Sequence, residues 1–482
     1  MKTKASPAAT PHLKRVLGVW DLALLFIVAV TNLNVVPAIA ANGPVTIWLW
    51  MLALIFFFWP QGMAVIELSH RYPGEGGVYL WTKEVFGDFH GFLSGWCYWT
   101  NNVFYVPTVV LYLVGISVYI FGSQARALAD NKGFAFSISL VALWVIVALN
   151  VRGLGVGKWI NNLGGIGTGI TAAVLIGLGL LAYHRHGSLI GLHDFAIRGA
   201  DWHTIAAFGY ITFGLVGLEL GSIMGDEIRE PRRTVPAAVV WGGIISGVLY
   251  VGATLAVFID VPTREIGVVQ GILQAVSKMA SENGASWLVA PVALLLSIAI
   301  AGIASAWLAG SARIPFVAGL DKYLPSPLGK VHARYGTPWV ALTLHGALST
   351  VFLAMNFIGA SVQEAFLTML DLAVFLQLVP FLYMYASLIS LARRGNQAGV
   401  YSAGKLRVAG VCGFTTTAMG MIVAFVPTRQ IVSVWLFELK MFIGCAFFVG
   451  LALLLFRVYA GHKNASQILA VGANPGALGG SQ

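Results

Sequence analysis

The sequence predicts an all-α integral membrane protein of twelve transmembrane helices, the first ten set as two five-helix inverted repeats whose opening helices are both broken. Three observations carry this. Of the 482 residues, 58% are hydrophobic and only 10% charged, and mean hydropathy is +0.81. Long stretches hold no Asp, Glu, Lys or Arg, and about 20 apolar residues take a helix across the hydrocarbon core. Two spans, five apart in order, carry polar or flexible residues at mid-membrane depth, the pattern of an internal repeat.

The spans follow in order. Leu22 to Ile66 is free of charge and long enough for two, separated by Asn42-Gly43-Pro44. Phe89–Ala125, Gly133–Val151 and Trp159–His184 supply the third to fifth, and Trp202–Gly225, around Glu219, the sixth. Thr234–Ile259, Asn283–Ala312 and Tyr335–Gln363 come next, then Ala365–Ala392 around Asp371. Val408–Thr428 and Gln430–Phe456, the latter with Glu438 and Lys440, complete the set. The expected division is an N-terminal tail at 1–14, a ten-helix core at 15–400 (halves near 15–184 and 202–394), a helix pair at 405–460, and a mobile Gly-, Ala-, Ser- and Asn-rich tail at 461–482.

Orientation follows from Lys and Arg, which collect on the cytoplasmic side. With both termini on one side, that side carries 21 of them and the other seven, Lys440 lying within a span. Both termini are therefore expected in the cytoplasm and the protein in the cell membrane. The same distribution accounts for the net charge of +10 without nucleic acid as a partner, since the positives are spread over loops and form no basic face.

Other classes fall away. A soluble chain is about a quarter charged, and disorder requires low hydrophobicity with high charge. Cys97, Cys412 and Cys445 are far apart in apolar runs, with neither disulfide nor metal-ligand spacing. No cleavable signal peptide is evident. The histidines noted, among them His12, His70 and His90, form no metal motif. No nucleotide loop or nucleophile elbow appears, so no cofactor, metal or enzyme activity is expected.

The broken spans carry the chemistry. The first reads Val30-Thr31-Asn32-Leu33-Asn34 before Pro37; the sixth has Gly209, Gly214, Gly217 and Gly221 around Glu219. Irregular backbone at this depth must be buried in protein or line a cavity. Freed N–H groups attract a carboxylate and freed carbonyls accept from an ammonium. The alternative is ordinary helix packing by small and polar residues.

Three stretches give the chain a resemblance to the amino acid–polyamine–organocation superfamily of transporters over most of its length. Glu67 through Pro73 to Gly76-Gly77-Val78-Tyr79-Leu80-Trp81 is similar to that family's second-span exit. Phe213 to Glu219, followed by Asp226-Glu227 and Glu230-Pro231-Arg232-Arg233 to Pro236, is similar to its sixth span and following loop. Gly310-Ser311-Ala312-Arg313 with Gly319-Leu320-Asp321 and Leu324-Pro325 resembles its eighth-span exit. Two departures stand out: the usual Gly-Ser-Gly of the first break is replaced by Val30 to Asn34, and Trp159 to Tyr183 of the fifth span lacks the lysine that several proton-coupled members carry. The resemblance implies a LeuT-type inverted repeat, with spans one and six holding the substrate.

Candidate substrate-binding residues are Val30, Thr31, Asn32 and Asn34 in the first break, Asn101 and Asn102 in span three, Phe213, Gly214 and Gly217 in span six, and Ser305 and Trp307 in span eight. Phe213 resembles the family's aromatic gate; Trp307 has pocket and lipid as open alternatives. Glu219 and Asp371 are candidates for coupling or gating, since a mid-membrane carboxylate is costly. Each has a structural alternative, Glu219 as a brace for the broken helix and Asp371 as a buried pair. Glu67 and Asp226 to Arg233 are expected to form ion pairs at a cytoplasmic gate or in loops.

The function expected is secondary active transport of amino acids by alternating access, as proton-coupled symporter or exchanger. A polyamine or other organic amine is the alternative substrate and a non-transporting receptor a remote one. The partners expected are the small substrate, a coupling proton or counter-substrate, and the lipid bilayer; no obligatory protein partner is evident.

Overall fold

The computed structural model describes residues 15–121, 128, 131–196, 202–266, 271–355, 357, 362–395, 399–426 and 434–472. Within these the regular structure is helical, apart from two isolated backbone bridges, Leu17 with Ile228 and Glu75 with Met224. Nine helices among the described residues are long and apolar enough to cross a membrane, and Val19–Val30 and Trp339–Met355 are shorter apolar helices.

The helices are α1 Val19–Val30, α2 Val35–Ala40, α3 Thr46–Arg71, α4 Val78–Phe86, α5 Asp88–Ser117, α6 Lys132–Val151, α7 Leu154–His186, α8 Trp202–Gly214 and α9 Leu220–Ile223. They continue as α10 Pro231–Asp260, α11 Gly271–Glu282, α12 Val289–Ser311, α13 Arg313–Leu320, α14 Trp339–Met355, α15 Val362–Arg393, α16 Ala403–Val423 and α17 Val434–Gly472. Both expected interruptions are present. α1 stops at Val30 and α2 begins at Val35; α8 stops at Gly214 and α9 begins at Leu220.

Helix boundaries depart from the charge-free runs where a helix continues past the apolar stretch. α16 starts at Ala403 and includes Lys405 and Arg407, because charges at a span's end reach the interface without breaking the helix. α17 runs past residue 461 for the same reason: loss of apolar pattern ends a span, not a helix. α4 and α11 were hidden in stretches between spans.

The core sits among α1, α5, α7, α10 and α12, with α1 against α7 and α10, and α12 against α5 and α7. One close crossing is at Gly164 and Gly302, where a Cβ on Gly302 would lie 2.7 Å from the Gly164 Cα. Small residues at such a crossing let two backbones touch, the usual way helices pack where lipid leaves no hydrophobic drive between them. The outer faces invert the soluble pattern: Trp59, Ile422 and Phe442 are among the large apolar side chains that point outward.

Candidate functional site

The two breaks lie against each other. Gly217 has φ of +140°, open to glycine but strained for other residues, and a Cβ there would sit 3.1 Å from the Ala29 carbonyl carbon and the Val30 nitrogen. Interrupting a helix frees backbone groups that must be paired when buried. Neighbouring helices do this. The Tyr250 phenol oxygen of α10 accepts the Asn32 N–H at 2.8 Å and sits within donating distance of two carbonyls, Val30 at 2.5 Å and Gly214 at 2.8 Å. One phenol thus stands between the C-terminal ends of α1 and α8. Thr31 Oγ1 donates to Ser246 Oγ at 2.8 Å.

In the second break, the Glu219 carboxylate is fully buried. It accepts from Tyr98 of α5 at 2.9 Å, Gln61 Nε2 of α3 at 3.0 Å and the Gly217 N–H at 2.9 Å. No cation partners it among the described residues; neutral donors from two helices and the freed backbone hold it.

Between the breaks is an enclosed cavity lined by Asn32, Asn101, Tyr105, Phe213, Gly214 and Trp307 among others. Its volume is about 10 Å³, the scale of one water. Tyr105 is edge-on to Phe213 at 5.4 Å and to Trp307 at 5.9 Å between ring centroids. Trp307 Nε1 donates to the Ala29 carbonyl at 3.3 Å. Asn32 Nδ2 donates to the Tyr105 phenol, and Asn101 Nδ2 donates to Gln377 Oε1 at 2.5 Å. Both amide nitrogens being engaged, the Oδ1 atoms of Asn32 and Asn101 are left buried without a hydrogen-bond partner. An unpaired buried acceptor is costly, and a donor entering the cavity would relieve that cost.

The structure thus brings Asn32, Asn101, Phe213, Gly214 and Trp307 to one cavity. Val30 contributes its carbonyl to Tyr250, Thr31 turns to Ser246, and Gly217 offers its N–H to Glu219. Asn34 is half-buried at the start of α2. Asn102 Nδ2 bonds back to the Tyr98 carbonyl of its own helix, and Ser305 Oγ accepts from Asn150 Nδ2 at 3.0 Å; neither lines the cavity. Asp371 falls on α15 with its side chain outside the described set.

Sequence reasoning missed Gln61, Tyr98, Tyr105, Tyr250 and Gln377. The two glutamines are fully buried in apolar helices, so polarity in a charge-free run was the available signal. The tyrosines gave none, because tyrosine reads as hydrophobic in a span.

A second polar cluster joins the turn before α4, the loop after α9 and the start of α13. Arg313, only 2% exposed, lies between two carboxylates: Glu227 Oε2 at 2.7 Å from its Nη2 and Glu75 Oε1 at 3.1 Å from its Nε. Arg313 also donates to the Ala309 carbonyl, and Glu75 accepts the Asp226 N–H at 3.1 Å. The Glu227 carbonyl accepts from Val16 and Leu17, tying the segment before α1 to the same point. Burial, then the Glu227 charge, pushes the Glu75 carboxyl well above the usual carboxylate range against the pull of Arg313. Burial also raises Glu227, with Arg313 opposing. One guanidinium facing two buried carboxylates favours a proton on the pair. Of the expected loop ion pairs, Glu67 takes Arg71 at 2.6 Å, Glu227 takes Arg313, and Glu230 meets Arg233 at 3.9 Å on the surface.

A helical chain with an apolar exterior, two interrupted helices and a polar cavity between the interruptions is a multi-pass membrane protein of the transporter class. The family described as amino acid permease matches residues 17–454. The chain belongs to this family, within the amino acid–polyamine–organocation superfamily, and is a membrane transporter of amino acids or amines, not an enzyme. It is 28% identical over 454 residues to an uncharacterized transporter of Legionella pneumophila, covering 91% of this chain and 96% of the relative. It is 25% identical over 317 residues to a probable agmatine/putrescine antiporter of Lactococcus lactis, covering 65% and 66%. A glutamate/gamma-aminobutyrate antiporter of the same species is 23% identical over 441 residues, covering 88% and 86%.

Proposed function

We propose that the protein is a secondary active transporter of amino acids in the cell membrane, working by alternating access with both termini in the cytoplasm. The observation that carries the reading is the meeting of two helix breaks at one closed cavity. Its unpaired acceptors, Asn32 Oδ1 and Asn101 Oδ1, suit a protonated amino group. In this reading twelve spans form a LeuT-type core over 15–400, its halves near 15–184 and 202–394, followed by a helix pair at 405–460 and a tail at 461–482. Phe213 and Trp307 cover the substrate. No nucleotide site supplies energy, so a proton or a counter-substrate drives uptake, with Glu219 and Asp371 as the acids available for coupling. Arg313 with Glu75 and Glu227 closes the cytoplasmic end.

One observation favours a second reading, an organic amine or polyamine. Two N–H groups of the breaks are already committed, Asn32 to Tyr250 and Gly217 to Glu219, which leaves the cavity better supplied for an ammonium than for a carboxylate. The similarity to an agmatine/putrescine antiporter points the same way.

Both are tested by reconstituting the purified protein in liposomes. Uptake of labelled amino acids and polyamines is measured with and without an inward proton gradient, and with and without unlabelled substrate inside. Amino acid uptake upholds the first reading; stimulation by internal substrate marks exchange and by the gradient marks symport. Uptake of polyamines alone upholds the second. No uptake by folded protein ends both.

A further inference from the structure

Away from the central cavity, a groove of about 540 Å³ opens on the outer face between α3 and α16. Its walls include Phe56, Trp59 and Met63 from one helix and Lys405, Val408 and Cys412 from the other. The two helices run antiparallel. Glu67 of α3 accepts the Tyr401 N–H at 3.0 Å just before α16 begins, and Thr416 Oγ1 donates to the Phe56 carbonyl at 3.2 Å further along. The groove therefore extends from Met63 and Lys405 at one end to Phe56 and Cys412 at the other, about 10 Å of helix at 1.5 Å per residue. That is most of the depth of one leaflet's hydrocarbon, about 15 Å. The deep end falls at a π-helical turn, Leu54–Phe58, where wider winding displaces the backbone from the regular α path.

Both helices are apolar and long enough to span the membrane, and the outward-facing Trp59 and Val408 are 67% and 64% exposed. Hydrocarbon is thus the medium in front of the groove, which bars soluble ligands. The walls are apolar except at the end where Lys405 stands. The carboxylate next to that end, Glu67, is engaged by Arg71 at 2.6 Å and by the Val400 and Tyr401 N–H groups, and Lys405 forms none of the ion pairs among the described residues. An apolar channel reaching through most of one leaflet with a single cation at its interfacial end has the shape and charge of a lipid with a negative headgroup. We propose that the groove binds an anionic phospholipid, its phosphate paired with Lys405 and one acyl chain laid between α3 and α16. The same helix carries Gln61 to Glu219, so an occupied groove would brace the helix that supports the second break. This site stands on membrane embedding alone and holds whichever substrate is carried.

The test uses Cys412, which lines the groove, while Cys97 and Cys445 are buried. The full-length protein is placed in vesicles of phosphatidylcholine alone or mixed with phosphatidylglycerol, and labelling of Cys412 by a photogenerated carbene dissolved in the bilayer is followed with time by mass spectrometry. Phosphatidylglycerol is expected to slow labelling several-fold. Lys405→Ala should abolish that difference while leaving the unfolding temperature in phosphatidylcholine unchanged. Val408→Trp, which fills the groove, should slow labelling in both lipids. Equal labelling of the wild type in the two lipids, or a difference that survives in Lys405→Ala, overturns the assignment. So does protection that rises with protein density in phosphatidylcholine alone, which would mean that a second copy of the chain covers the groove.

Discussion

The two helix breaks solve the same problem with different chemistry. The first is held by neutral groups from other helices: Tyr250 takes the Asn32 N–H, Ser246 takes Thr31, and Tyr105 takes the Asn32 amide. The second is braced by an acidic side chain of its own, since Glu219 accepts the Gly217 N–H two residues back and draws in Tyr98 and Gln61. A neutral hydroxyl can be exchanged for another donor at little cost, whereas a buried carboxylate stripped of its donors is heavily penalised. Under the proposed function, the first break is accordingly the one free to trade partners with a substrate, and the second the more rigid wall.

That contrast can be broken at Glu219 with the largest effect. Glu219→Ala leaves Tyr98, Gln61 and the Gly217 N–H without their acceptor. It should abolish transport and cost roughly 3 kcal/mol or more, seen as a marked fall in unfolding temperature in detergent. Glu219→Gln sharpens the point. If the carboxylate only braces the break, transport keeps its pH profile; if it carries the coupled proton, pH dependence disappears while substrate binding survives. Tyr250→Phe comes next, because one hydroxyl serves both breaks. It should cost about 1–3 kcal/mol and slow turnover more than it weakens binding, a split read from transport kinetics.

The Arg313 cluster supplies a smaller, pH-dependent effect. Glu75 and Glu227 are raised above their ordinary values, so protonation stabilises the folded cluster. That contribution is full below the ordinary glutamate range, near pH 4.5, and is lost as pH rises through the raised value. Hydrogen exchange of the backbone at 72–79 and 224–229, corrected for the intrinsic pH effect, should therefore speed up as pH rises; Glu75→Gln should flatten the trend. Thr31→Val is the mildest change. It removes one neutral hydrogen bond, worth about 1 kcal/mol, and should leave transport within a few-fold of wild type.

Much of the architecture was legible because a membrane chain writes its spans as missing charge. Leu22 to Ile66 could be divided at Asn42-Gly43-Pro44, and α2 ends and α3 starts on either side of that turn. The breaks were legible through residues that neither span nor pack cheaply, Asn32 and Asn34 in one and Gly214, Gly217 and Glu219 in the other. The cavity was legible only in part, because side-chain direction on a helix turns by about 100° per residue. Asn101 reaches the cavity and Asn102 does not; Trp307 reaches it and Ser305, two residues earlier, faces Asn150. Tyr250 was invisible, since nothing in Thr234–Ile259 separates a phenol that pairs two freed carbonyls from one that packs in a core.

The position of that phenol bears on how the molecule moves. Its single hydrogen faces two carbonyls on two different helices, and both acceptors are equally shielded from solvent. Passing the hydrogen from one to the other needs a rotation about the C–O bond and no water, so no polar atom is laid bare to hydrocarbon. A shift of α1 against α8 that lengthens one of these hydrogen bonds therefore leaves the other acceptor at hand. The hydroxyl acts less as a rivet than as a bearing.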